Sequence, residues 1–112
     1  MSVKIGFSER GGARVISISG EVDLMTAPEL KESVYGVLDS GVKELVLDMS
    51  ELDFIDSSGL GVLVGTLKRV RSAGGSICLV CGRDSVLKVL RLTGLDKVFT
   101  IYERLEDFTP AG

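Results

Sequence analysis

Two runs near the start of the chain alternate apolar and polar residues. Val3 to Ser8 alternates strictly and Arg14 to Ser19 nearly so, and Glu9-Arg10-Gly11-Gly12 between them is a turn cluster. A period of two marks a half-buried strand, so this stretch predicts an opening β-hairpin. Gly20 to Met25 reads as a loop. The period then lengthens: Leu30, Val34, Val37 and Leu38 form a helical stripe. Thr26 followed three residues later by Glu29 predicts a capping box, Pro28 suits a first helical turn, and Gly41 marks the end.

Glu44 to Met49 is a short, mostly apolar run of the kind expected of a buried strand, and Ser50 to Asp56 reads as a connector. From Ser57 to Ser72 the helical period returns with Leu60, Leu63, Val64, Leu67 and Val70, capped by Asp56 or Ser57 and closed by Gly74-Gly75. Ser76 to Cys81 predicts the next strand. Asp84 or Ser85 caps a third helix carrying Val86, Leu87, Val89, Leu90 and Leu92, which Gly94 closes. Val98 to Ile101 is a last short strand, and Glu103 to Phe108 a final helical turn or two. The order β-β-α-β-α-β-α-β-α predicts an α/β fold: a mixed sheet of about five strands, helices packed on it, and right-handed crossovers. No repeat, low-complexity segment or linker divides residues 1–112, so a single domain is expected.

Composition removes most catalytic chemistries. Among 112 residues there is no histidine. That excludes Ser-His-Asp and Cys-His nucleophile pairs, imidazole acid/base catalysis, His-containing zinc sites and a phosphohistidine relay. Thirteen basic against sixteen acidic residues give a net charge of −3, with a pI near 4.9. This is the wrong sign for a protein that tracks nucleic-acid phosphates. No stretch free of charge is longer than Ser57 to Leu67, too short to cross a membrane. Lys4, Glu9 and Arg10 interrupt the N-terminal run, so no signal peptide is expected, and the reading is a soluble, cytoplasmic protein. Cys78 and Cys81 have C-x-x-C spacing, but they lie in a β-branched, apolar run rather than at the start of a helix. Residues three apart on a strand face opposite ways, so the pair reads as buried and inert.

One segment stands out. Asp56-Ser57-Ser58-Gly59-Leu60-Gly61 sets a carboxylate, two hydroxyls and two glycines at a strand-to-helix junction. The unpaired N–H groups and positive dipole of a helix N-terminus tolerate an anion there, a serine phosphate included. Gly59 and Gly61 leave the backbone bare for the approach of another protein. The glycine spacing is one residue too long for a dinucleotide fingerprint, and no Gly-Lys-Ser/Thr follows for a P-loop. The esterase elbow lacks its first glycine and any histidine. Asp48 at the end of an apolar strand suggests a phospho-acceptor aspartate, but the acidic pair such receivers need is replaced by a Gly-Gly hairpin. The plain alternative is that Asp56 is only a good helix cap. Lys68-Arg69-x-Arg71 reads as a solvated face, Glu103, Glu106 and Asp107 as a polar terminus, and Tyr35 and Tyr102 stand without neighbours of note.

The same segment belongs to a longer pattern. Gly20-Glu-Val-Asp23, Thr26-Ala-x-x-Leu30, Leu47-Asp-Met-Ser50, Phe54-Ile-Asp-Ser-Ser-Gly-Leu-Gly61, Leu92-Thr-Gly-Leu95 and Val98-Phe99 together resemble the bacterial anti-sigma factor antagonists, stand-alone members of the STAS domain family. The resemblance runs essentially end to end and implies a single STAS-type domain that is not an enzyme and needs no cofactor. It implies a partner that is both an anti-sigma factor and a GHKL-type serine kinase, whose capture frees a sigma factor. Phosphorylation would end that binding and a PP2C-type phosphatase would restore it. Carried onto this chain, the acceptor is Ser57, and Asp23 lies beside it on the kinase-facing surface, with Asp56, Ser58, Gly59, Leu60 and Gly61 as further contact positions. The free protein is expected to be a monomer without nucleic-acid or membrane partners. The alternatives are a STAS module that scaffolds a signalling assembly or binds a small ligand.

Overall fold

Three of the four strand pairings are parallel, and each is reached through a helical crossover. The computed structural model describes residues 2–110. Strands β1 (Val3–Arg10) and β2 (Ala13–Val22) form the hairpin, followed by helix α1 (Ala27–Asp39), β3 (Glu44–Ile55), α2 (Ser57–Ser72), β4 (Ser76–Val80), α3 (Asp84–Leu92) and β5 (Thr100–Tyr102). Short 3-10 turns at Leu95–Lys97 and Leu105–Asp107 flank β5. The five strands lie in sequence order, β1 antiparallel to β2 and every later pair parallel. The expected α/β architecture with a mixed five-stranded sheet is therefore the one found.

The largest departure from the sequence reading is β3, which runs on to Ile55 instead of ending at Met49. The cause lies in its register against β2. Ser17 faces Asp48, but Ser19 faces Glu51, and Gly20 faces Leu52 while Glu21 faces Phe54. β3 thus takes in an extra residue at two bulges. Met49, Leu52 and Ile55 all reach the core, at a spacing of three that hides a strand from a search for period two.

Other boundaries shift for local reasons. β1 and β2 take in Glu9, Arg10 and Gly20 to Val22, leaving only Gly11-Gly12 for the turn. Neither Asp84 nor Ser85 caps α3: the helix begins at Asp84, its N-cap is Arg83, and no side chain bonds its first turn. The last strand starts at Thr100, two residues late, because the chain first makes the Leu95–Lys97 turn. The final helical turn shrinks to Leu105–Asp107. In α2 the buried stripe is Gly59, Val62, Leu63, Thr66, Leu67 and Val70, with Leu60 and Val64 only half-buried at its margin. Thr66 is tolerated inside because its hydroxyl donates to the Val62 carbonyl at 2.7 Å.

All three helices pack on one face of the sheet. Their buried residues join Ile16, Ile18, Leu45, Leu47, Met49 and Leu79 in the main core. The opposite face carries a separate, smaller cluster of Ala13, Val15, Val46, Cys78 and Val80 under Phe108. Cys78 and Cys81 are free and buried, one in each cluster, as the strand reading expects. Burial, with a smaller contribution from Glu44, pushes the Cys78 thiol up to about 11. Burial also raises the Cys81 thiol. Tyr35 is less isolated than its sequence suggests: the Arg69 guanidinium lies 4.4 Å and the Lys31 ammonium 5.5 Å from its ring centre.

Candidate functional site

The site is built where β2 and β3 end together. Val22 pairs with Ile55 as the last register of the two strands. The Asp56 N–H then donates to the Val22 carbonyl at 3.1 Å. The two chains leave the sheet side by side, one through Asp23 into α1 and the other through Asp56 into α2.

Each aspartate folds its carboxylate back onto the backbone that follows. Oδ1 of Asp56 accepts from the N–H groups of Ser58 (2.8 Å) and Gly59 (3.2 Å), and its extended backbone makes it the N-cap of α2. Oδ1 of Asp23 accepts from Met25 (2.9 Å) and Thr26 (3.0 Å). The Thr26 N–H is the main group holding the Asp23 carboxyl below its ordinary value, with help from Met25 N–H and the Thr26 hydroxyl. The expected Thr26–Glu29 capping box does not form. Thr26 is the N-cap residue of α1, yet its side chain makes no cap bond. Its hydroxyl accepts from Asp23 N–H and donates to the Glu21 carbonyl, each at 2.9 Å, closing the Asp23 turn.

Ser57 is the first residue of α2 and exposed. The cap of the helix is filled by Asp56, so the sequence alternative with Ser57 as N-cap does not hold. Among the described residues nothing bonds the Ser57 hydroxyl, and the two nearest acids along the site are occupied with backbone N–H groups. Its hydroxyl stands free at the exposed start of α2.

Gly59 and Gly61 divide in role. A Cβ on Gly59 would stand 2.6 Å from Ile55 Cγ1 and 2.7 Å from Val22 Cγ1, and the residue is buried. The bare backbone expected to face a partner there instead lets α2 settle on the strand ends. Gly61 is exposed with open space around it. Ser58, Gly61 and Val62 line a groove between α2 and α1, where Leu24, Ala27, Pro28, Lys31 and Tyr35 form the other wall. Leu60 is half-buried against the core and contributes little surface.

Sequence reasoning missed the exposed apolar side chains at this end of the sheet. Leu24, which lines the groove, is 73% exposed, Met25 83% and Phe54 43%, all at the same ends of β2 and β3 as Ser57. The available signal was an adjacent apolar pair in a polar turn. Clustered exposed apolar side chains mark a protein-contact surface. Behind these side chains, the part of β3 past Asp48 has no partner in β4. Arg83 instead pairs with Glu51 (2.8 Å) and with Asp53, tying that segment to the start of α3.

Comparison with known proteins places this geometry among relatives. Residues 4–108 match the STAS domain. The anti-sigma-F factor antagonist RsfB of Mycobacterium tuberculosis is 35% identical over 108 residues, covering 95% of this chain and 86% of the relative. The crystal structure of an anti-sigma factor antagonist from Mycobacterium paratuberculosis superposes with a TM-score of 0.87 at 32% identity, over 94% of this chain and 89% of that one. The Bacillus cell fate determinant SpoIIAA, solved in its phosphorylated form, shares the fold with a TM-score of 0.70 at 20% identity, over 92% of this chain and 95% of that one.

Two expected outcomes follow from the site's construction. Gly59→Ala lowers folding stability by about 1–3 kcal/mol through overpacking, whereas Gly61→Ala raises it by up to about 1 kcal/mol by helix propensity. Urea denaturation of the two variants checks the pair, and equal effects would contradict the division of roles. Asp23 carries a lowered pKa, so its bonds stabilise the fold above the carboxyl's unfolded value near 4 and are lost as pH falls through the lower folded value. The melting temperature of Asp23→Ala should therefore lie below that of the parent at pH 7 and converge on it as the pH falls below the ordinary carboxyl value. A constant gap across that range would contradict the assignment.

Proposed function

The chain belongs to the STAS domain family, and on that footing we propose that it is an anti-sigma factor antagonist switched by phosphorylation of Ser57. In the unphosphorylated form it binds an anti-sigma factor that is also a GHKL-type serine kinase, and so frees a sigma factor in the cytoplasm. The observation that carries this reading is the placement of Ser57. Its hydroxyl is exposed and unbonded at the start of α2, at the end of the sheet where Asp23, Asp56 and the exposed Leu24, Met25 and Phe54 also lie. Support comes from relatives named as anti-sigma factor antagonists and from a fold neighbour, SpoIIAA, solved in a phosphorylated form.

The chain supplies the substrate hydroxyl and the partner supplies the catalysis. Ser57 Oγ attacks the γ-phosphorus of kinase-bound ATP, ADP departs, and the hydroxyl proton passes to a base on the kinase. The product gains about 1.5–2 negative charges beside Asp23 and Asp56. The Asp56 carboxylate already caps α2 and the Asp23 carboxylate closes the turn before α1, so both are engaged before a phosphate arrives. Its effect falls on the interface, as repulsion and as the cost of desolvating a dianion beside exposed apolar side chains. Weakening a complex 100- to 1000-fold takes about 2.7–4 kcal/mol, within reach of such a charge. A PP2C-type phosphatase restores the hydroxyl. Among the described residues no helix is long and apolar enough to cross a membrane. The free protein acts as a monomer.

Titration against the cognate anti-sigma factor tests the switch. Ser57→Ala binds with the parent's affinity and accepts no phosphate from the kinase. Ser57→Asp binds at least about tenfold more weakly, with a melting temperature close to the parent's. Parent-like binding by Ser57→Asp, or phosphate transfer to Ser57→Ala, would overturn the proposal.

A further inference from the structure

Helices α1 and α2 leave an open groove of about 400 Å³ between them at the end where both begin. Ala27 and Pro28 wall it on one side and Val62 on the other, with Leu24 just before α1 and Ser58 beside Ser57 also in the lining. One turn further along α1, Tyr35 reaches across to α2. Its hydroxyl lies where a Cβ on Gly65 would stand 2.4 Å away. The Tyr35 ring is held in turn by Arg69 of α2, whose guanidinium lies 4.4 Å from the ring centre and bonds Asp39 of α1 at 2.7 Å. Side chains of both helices therefore fix the tyrosine that closes the groove.

The glycines of α2 show which part of this groove is open to an outside group. Gly59 and Gly65 are required by the molecule's own packing, the first against Val22 and Ile55 and the second against Tyr35. Gly61 is not: a Cβ there would meet nothing within 4 Å. Glycine weakens a helix interior relative to alanine, so position 61 gives up helix stability with no internal contact in return. What the missing side chain does is bare the α2 backbone along the groove, where an incoming group can approach closely. Charge marks the opposite wall. Lys31 is the one charged side chain in the lining, exposed, with its ammonium 5.5 Å from the Tyr35 ring centre. An apolar recess edged by a single cation is complementary to an apolar side chain next to a carboxylate.

We propose that the α1–α2 groove receives an apolar side chain of the anti-sigma factor, whose adjoining carboxylate pairs with Lys31. The identity of that partner rests on the switch proposed above; the groove adds the chemistry of the segment the partner brings. Burial between Pro28, Val62 and Tyr35 supplies affinity, and Lys31 selects an acidic neighbour over a basic one. Ser58 belongs to the lining, so the docked segment lies one residue along from the acceptor hydroxyl.

Calorimetric titration of the purified cognate anti-sigma factor against variants of the full chain tests this. Gly61→Leu fills the groove from the α2 side while favouring the helix, so its melting temperature is expected at or above the parent's and its dissociation constant at least about tenfold higher. Lys31→Met keeps the apolar stem and removes the charge. Its dissociation constant should rise about three- to tenfold with a flatter dependence on salt, and Lys31→Arg should restore both. The Lys31 pair decides the matter even if Gly61→Leu unfolds. Ser57→Asp reports on the switch separately. A parent chain that does not bind, or that binds equally as Ser57→Asp, overturns the switch. A parent that binds and is weakened by Ser57→Asp, with parent-like binding by folded Gly61→Leu or by Lys31→Met, overturns the groove alone. Sedimentation velocity of the chain by itself covers the other occupant: self-association abolished by Gly61→Leu would assign the groove to a second copy and overturn the proposal.

Discussion

Everything at the candidate site follows from one constraint, the parallel pairing that brings Val22 and Ile55 to the end of the sheet together. The bond from Asp56 N–H to the Val22 carbonyl locks the two exits side by side. Asp23 and Asp56 then begin two turns of the same design, each carboxylate gathering the backbone N–H groups that follow it. Remove the register and the two helices no longer start beside one another, and the groove between them has no walls. The two bulges in β3 are part of the same constraint, because they let the longer strand finish level with the shorter one.

That geometry bears on how the proposed phosphorylation of Ser57 would leave the fold undisturbed. An uncapped helix start would bind its own phosphate and reorganise around it. Here Asp56 already holds Ser58 and Gly59 N–H, so the first turn carries its own side-chain cap before any modification arrives. The charge of a phosphate is left to act outward. Gly59 serves the same end from below, since only a residue without Cβ lets α2 begin so close to Val22 and Ile55.

Much of this was legible in the sequence, for identifiable reasons. The bounds of α2 and a cap at Asp56 or Ser57 follow from local chemistry, and the structure chooses Asp56. The Cys78–Cys81 divergence follows from strand geometry alone. β3 was legible only to Met49, because bulges destroy the alternation by which a strand is recognised. The Thr26–Glu29 box had the right residues at the right spacing, but Asp23 reaches the Thr26 N–H and the Glu21 carbonyl engages the threonine hydroxyl. That competition depends on where β2 ends. Gly59 was misread for a related reason, since its neighbours Val22 and Ile55 are distant or hidden until the strands pair. Leu24 and Met25 carried a signal that only exposure makes meaningful.

The missing histidine gains its meaning from the same site. In the proposed switch the chemistry at Ser57 falls to a partner, and this chain's part is to present one exposed hydroxyl at the end of the sheet. The direct measurement is the affinity of the purified cognate anti-sigma factor for the chain before and after stoichiometric phosphorylation, with the modified residue mapped by mass spectrometry. The account predicts one phosphate, on Ser57, and a dissociation constant roughly 100- to 1000-fold higher. An unchanged dissociation constant with Ser57 fully phosphorylated would contradict it.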